Sequence, residues 1–258
     1  MIKTIIFDLD DTLLWDKKSV ATAFQLTCEK AAETYELNPS ELEEAVRSEA
    51  RALYATYDTY EFTQMIGINP FEGLWGTFDD EGESFQQMKE IVPEYRKEAW
   101  TRGLKRLGIE DSELGKELAE LFPENRKKSP FLYEETFKIL DLLKGKFKLA
   151  LLTNGSPSLQ QTKLTITPEI APYFDHIIIS GAFGKGKPDQ SIFDYTLAQC
   201  DAKREETLMV GDNLMTDILG ASRVGIPSVW INRENNKSHP DIKPTYEIDH
   251  LDQLISIL

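Results

Sequence analysis

The sequence predicts an α/β protein: a parallel sheet interrupted, after its first strand, by an inserted all-helical domain. Three observations predict it. Short apolar runs recur at Thr4-Ile5-Ile6-Phe7, Phe147 to Leu152, His176-Ile177-Ile178-Ile179, Thr207-Leu208-Met209-Val210 and Val229-Trp230-Ile231. Helical stretches separate several of the later runs, and strands alternating with helices build a parallel sheet covered on both faces. From residue 16 to residue 127 the apolar spacing is helical, with no convincing strand.

Each element follows from local signals. Thr4 to Phe7 is β-branched and apolar, as a buried strand requires. Val20, Phe24 and Cys28 fall on one helical stripe. Ser40-Glu41-Leu42-Glu43, after Pro39, has the form of a capping box and starts a helix with Leu42, Val46 and Leu53 inward. Glu83 to Leu107 is helical, Gly108 ends it, and Pro93 is expected to split it in two. Asp111 to Leu121 is a shorter helix, with Pro123 marking its end. Glu134 to Leu143, Ser191 to Cys200 and Leu214 to Val224 are helical, and Asn235 to Pro240 is a polar loop. The expected division is therefore residues 1–15 and 128–258 for a Rossmann-like α/β core, and residues 16–127 for the helical insert.

Composition narrows the function. The 258 residues are 41% hydrophobic and 28% charged, ordinary for a globular protein. The net charge of −15 argues against a nucleic-acid partner and against a polybasic membrane-surface role. No stretch approaches the ~18 to 20 apolar residues that cross a bilayer, and the N-terminus lacks the pattern of a signal peptide. With only Cys28 and Cys200, a cytoplasmic location with free thiols is expected.

In an open parallel sheet, ligands bind beyond the carboxyl ends of the strands. Asp8-Leu9-Asp10-Asp11-Thr12 follows the first strand, and Thr153-Asn154-Gly155-Ser156 the second. Gly181 to Asp189 follows the third, and Gly211-Asp212 to Asp217 the fourth. One Asp after a strand is usually a turn or a helix cap. The arrival of several such segments on one rim is what signals chemistry.

Asp8, Asp10 and Asp212 would repel one another unless a cation sits among them. Hard oxygen ligands with room for water and phosphate suit Mg²⁺. A phosphate monoester brings about −1.5 to −2, and Asp8 makes roughly −3. Mg²⁺ with Lys187 offsets that charge, so a carboxylate nucleophile can meet an anion. Two other motifs fail. Gly181 to Lys187 begins a P-loop, but Pro188 stands where Ser or Thr should bind Mg²⁺. Gly184-Lys185-Gly186 begins a dinucleotide fingerprint, but Asp189 replaces its last glycine. His176, His239 and His250 are scattered, which gives no support to a zinc site or a Ser-His-Asp triad.

Together these segments resemble the haloacid dehalogenase (HAD) superfamily. Asp8-Leu9-Asp10-Asp11-Thr12 matches its D-x-D-x-T motif, and Thr153 at a strand end matches its second motif. Lys187-Pro188-Asp189 resembles its third, and Gly211-Asp212 with Asp217 its fourth. The resemblance covers the whole α/β part, in the family's order, and the helical insert is placed like the family's cap. It implies that Asp8 is the nucleophile and that Asp10 is the acid and then the base. It implies that Asp8, the Asp10 carbonyl and Asp212 hold Mg²⁺. Thr153 and the Asn154 amide would hold phosphate oxygens, Lys187 would offset charge, and Asp217 would orient Lys187 or a metal-bound water. Lys185 is the competing lysine, and the Lys-Pro-Asp match favours Lys187.

An alkoxide leaving group needs a proton and a halide does not, so Asp10 points to phosphoryl chemistry. The resemblance extends to phosphoserine phosphatases, which makes phosphoserine the first substrate expectation. A nucleoside 5'-monophosphate phosphatase and a sugar phosphomutase are the alternatives. In the cap, Tyr54, Tyr57, Tyr60, Trp75 and Arg96 are the candidates for reaching a substrate, with a core or surface role the first expectation for each.

Overall fold

The computed structural model describes residues 1–258. Its sheet comprises β1 (Thr4–Phe7), β2 (Lys148–Thr153), β3 (His176–Ile179), β4 (Thr207–Gly211), β5 (Ser228–Ile231) and β6 (Tyr246–Ile248). The strand order is β3-β2-β1-β4-β5-β6, and every pairing is parallel. β1 is therefore flanked by β2 and β4, where the chain's winding changes direction, and a crevice forms at such a point.

Side chains alternate across the sheet, as the pleat requires. Ile5, Phe7, Leu149, Leu151, Leu208 and Val210 face one core, closed by α7 (Thr136–Leu143) and by Leu251 and Leu254. Ile6, Ala150, Leu152 and Met209 face the other, closed by α10 (Gln190–Gln199) and α11 (Leu219–Val224). Each fully buried side chain of this kind contributes about 1.5–3 kcal/mol. Two more helices belong to this body, α8 (Pro157–Ile166) and α9 (Ser180–Phe183).

The insert has a core of its own. It consists of α1 (Asp16–Ala32), α2 (Pro39–Tyr54), α3 (Tyr60–Ile66), α4 (Pro70–Gly73), α5 (Glu83–Arg106) and α6 (Ser112–Lys128). Phe24, Trp100 and Phe122 cluster at its centre, with the Phe24 and Phe122 rings 4.6 Å apart. Leu159 of α8 is the α/β residue that joins this core.

Three local expectations change. α5 runs unbroken through Pro93. Pro93 falls on the exposed side of the helix, while buried Val92 and Tyr95 anchor its flanks. α6 likewise continues through Pro123 to Lys128, held by buried Phe122, Asn125 and Arg126. The cap of α2 is Asn38, not Ser40: its side chain accepts a hydrogen bond from Ser40 N at 3.0 Å, and Pro39 takes the first helical turn. Glu43 instead pairs with Arg47 at 2.8 Å.

The two cysteines are free and lie in different cores. Burial pushes the Cys200 thiol up to about 11, and that of Cys28 higher still. No helix is long and apolar enough to cross a membrane.

Candidate active site

The carboxyl ends of β1, β2 and β4, and the loop beyond α9, meet in one cleft of about 560 Å³. Asp8, Asp10, Thr153, Asn154, Lys187 and Asp212 all line it. Asp217 sits beneath its floor, fully buried. All seven residues singled out from sequence are thus in one place.

Lys187 organises the floor. Its Nζ donates to Asp8 Oδ1 at 2.5 Å and to the Leu152 carbonyl at 2.7 Å, and it pairs with Asp217 Oδ1 at 2.7 Å. The Asn154 side chain fixes the lysine from its own backbone. Asn154 Oδ1 accepts from Lys187 N at 2.8 Å, and Nδ2 donates to Lys187 O at 2.9 Å. Asp217 reaches Lys187 because residue 211 is glycine; a Cβ there would collide with the Asp217 carboxylate. Lys185 is half-exposed and pairs with Asp189 at 3.4 Å, outside the cleft lining.

The carboxylates outweigh the cations. Burial raises Asp8 to about 6, against the pull of Lys187. Burial likewise raises Asp10 to about 6, against Lys163, and Asp11 to about 7. Asp212 rises to about 9, through burial first and then through Asp8, Asp217 and Asp11. Carboxylate oxygens of Asp8, Asp212 and Asp217 lie within 4.8 Å of one another. An all-oxygen donor set with surplus negative charge fits Mg²⁺ and reverses these shifts once filled. The Asp10 side chain is turned toward Lys163 and stands outside this cluster.

Asp10 Oδ2 accepts from Lys163 Nζ at 2.7 Å, and the same nitrogen reaches Glu72 Oε1 at 3.1 Å. Lys163 is 2% exposed, and burial alone would discharge it, but Asp10, Asp16 and Glu72 hold it protonated. Sequence reasoning missed both Lys163 and Glu72. The missing signal was α8 itself: Ser156-Pro157 is a cap followed by a first-turn proline, and Lys163 then falls on the buried stripe of Leu159, Gln160 and Leu164.

The insert supplies the roof. Gly67, Asn69 and Glu72 line the cleft. Gly186 N donates to Met65 O at 2.8 Å, and Ser180 Oγ to Ile66 O at 2.5 Å, so α3 is seated on the α/β body. Gly67, with φ of +78°, passes where any Cβ would strike the Asn154 side chain. Asn69 caps α4 in a box with Glu72, which aims the Glu72 carboxylate at Lys163.

None of the five cap candidates lines this cleft, in keeping with the core or surface role expected first for each. Tyr54 is buried and donates to Ile68 O at 3.4 Å, with Tyr60 packed edge-on against it and Tyr57 against Tyr95. Arg96 donates to the carbonyls of Gly73 and Gly76, closing the end of α4. Trp75 faces an adjoining chamber instead. Aromatic residues at helical spacing here serve the insert's own core. Conversely, the loop after β5 is more than a polar connection, because Asn236 and Lys237 reach the cleft.

This geometry agrees with what the chain is similar to. The family model for haloacid dehalogenase-like hydrolases matches residues 2–225. The phosphoserine phosphatase of Thermus thermophilus is 31% identical over 251 residues, 97% of this chain and 96% of that protein. The pyrimidine 5'-nucleotidase YjjG of Escherichia coli (strain K12) is 36% identical over 121 residues, 46% of this chain and 53% of its own. The magnesium-bound structure of the putative HAD-hydrolase YfnB from Bacillus subtilis has a TM-score of 0.66 at 27% identity, and the match covers 100% of this chain and 98% of that one. The chain belongs to the haloacid dehalogenase-like hydrolases, as a phosphatase-type enzyme with a helical cap.

Proposed function

We propose that the protein is a Mg²⁺-dependent phosphomonoesterase that acts on a small phosphorylated metabolite through an aspartyl-phosphate on Asp8, with phosphoserine the leading substrate. The observation that carries this reading is the contact of Lys187 Nζ with Asp8 Oδ1 at 2.5 Å, beside Asp212. A carboxylate held by a buried ammonium stays available as a nucleophile while its charge is offset. We assign residues 1–15 and 128–258 to the catalytic body, residues 16–127 to the cap, and the protein to the cytoplasm.

Asp8 attacks phosphorus, and the ester oxygen leaves with a proton from Asp10. Asp10 Oδ1 is buried without a hydrogen-bond partner, which leaves one carboxylate oxygen free for that proton. Asp10 then takes a proton from water as the aspartyl-phosphate is hydrolysed. Thr153 and the Asn154 backbone amide hold phosphate oxygens, Lys187 offsets their charge, and Asp217 keeps Lys187 in line. Asp8, Asp212 and the Asp10 carbonyl would hold Mg²⁺, which would supply electrostatic stabilisation of the transferring group. The raised Asp212 fits that ligand set.

The relative from Thermus thermophilus favours phosphoserine, and that from Escherichia coli favours a nucleoside monophosphate. The test is phosphate release from p-nitrophenyl phosphate and phosphoserine with Mg²⁺ and with EDTA. Release that EDTA abolishes is expected, and release indifferent to EDTA contradicts the metal assignment. A mutase would convert a sugar phosphate to its isomer with no free phosphate.

A further inference from the structure

A second chamber, of about 290 Å³, opens off the catalytic cleft and shares Asp11, Lys17, Asn69 and Glu72 with it. A phosphate seated against Asp8, Thr153 and Asn154 sends its ester group toward one side or another of that cleft. The shared wall makes this chamber the enclosed route. Its volume is at the lower end of ligand pockets, about 300–1,000 Å³, so the group it takes is small.

The acids of the chamber are already engaged. Asp16 pairs with Arg126 at 2.7 Å, Glu72 pairs with Lys163 at 3.1 Å, and Asp11 accepts from Lys17 N at 2.9 Å. Among the cations, Lys17 is taken by Glu234 at 3.1 Å, but Arg47 and Arg126 keep donors to spare. Arg47 of α2 packs against two rings set edge to face, its guanidinium 4.1 Å from the centroid of Phe24 and 4.7 Å from that of Phe71. Its Nε donates to Glu43 at 2.8 Å, and its two terminal nitrogens make no hydrogen bond within the protein. Arg126 of α6 is 2% exposed and lies over the Trp75 ring, and its Nε is buried without any partner. A buried donor left unsatisfied is costly, and a ligand oxygen removes that cost. The free valence of the chamber is therefore cationic, in a protein whose net charge is −15.

A planar guanidinium packed against two rings, with its terminal nitrogens free, matches a carboxylate in two-point fashion. We propose that this chamber binds a carboxylate on the leaving group, with Arg47 the specificity-determining residue and Arg126 the second donor. The substrates are then phosphate monoesters of small hydroxy acids. This rests on the phosphomonoesterase reading and sharpens it, because it excludes a nucleoside from the chamber.

The test compares O-phosphoserine with phosphoethanolamine, the same ester without its carboxylate, using the full chain with Mg²⁺. The expected ratio of kcat/KM in favour of phosphoserine is roughly 100-fold or more. Arg47→Met collapses that ratio to within about threefold, and Arg47→Lys restores only part of it. A purely structural role for Arg47 would lower both rates and leave the ratio intact. Hydrolysis of p-nitrophenyl phosphate without discrimination between the two esters overturns the carboxylate site and spares the phosphatase reading. Failure on all three compounds removes that reading, and the chamber's role with it.

Discussion

Two buried lysines divide the site between them. Lys187 holds Asp8 and Asp217, and every partner comes from the α/β body. Lys163 holds Asp10 and Glu72, and Glu72 belongs to the inserted helices. Both ammonium groups are 2% exposed and both are pushed above their ordinary value by their acids, against burial. The difference is therefore not chemical but topological. The proposed nucleophile, Asp8, is supported wholly from the α/β body. The proposed acid, Asp10, also takes its lysine from the α/β body, but that lysine's second partner, Glu72, comes from the insert, so part of this support depends on how the insert is seated.

Lys187→Met tests the first half and has the largest expected effect. It strands Asp8 and Asp217 without their cation, which costs about 3–5 kcal/mol of stability in metal-free protein. Activity falls by about 10³-fold or more, and both losses are read by thermal unfolding and phosphate release. Lys163→Met tests the second half. It leaves Asp10 and Glu72 facing each other uncompensated, and a similar loss of stability is expected. Because Lys187 is untouched, residual activity should exceed that of Lys187→Met by at least about tenfold. Equal residual activities would mean that the two networks do not act separately.

Metal removal gives a third result, set by sign. Asp8, Asp10, Asp11 and Asp212 are raised to about 6, 6, 7 and 9. The folded state therefore binds more protons than the unfolded state between about pH 4 and pH 9, and its stability falls as pH rises through that window. In EDTA the Tm contribution of this site should decline from pH 5 to pH 8. Mg²⁺ should raise Tm more at pH 8 than at pH 5, and Asp212→Asn should flatten the dependence. Glu72→Gln is the mildest change, because it keeps the bond to Lys163 and loses the charge. A loss of about 1 kcal/mol is expected, with a fall in activity of up to about tenfold.

The sequence made one of these networks legible and not the other. Asp8, Asp212 and Lys187 each follow a strand at the same rim, and strands are readable from short apolar runs. Their convergence then follows from parallel topology. Lys163 lies 153 residues from Asp10 and 91 from Glu72, on a helix whose starting signal was passed over. Glu72 and Asn69 sit in a short helix and its cap, too brief for any period to reveal. Arg47 and Arg126 look like ordinary helix-surface cations until α2 and α6 fold around Phe24 and Trp75. The prolines misled for a related reason: burial on either side of Pro93 and Pro123 outweighs a local break.

The central claim is that Asp8 becomes phosphorylated. A rapid acid quench of the enzyme with Mg²⁺ and radiolabelled phosphoserine tests it directly, followed by mapping of the labelled peptide. The account predicts label on the segment that contains Asp8 within the first turnover, and none in Asp8→Asn. Turnover with no protein-bound label, or label that persists in Asp8→Asn, would contradict it.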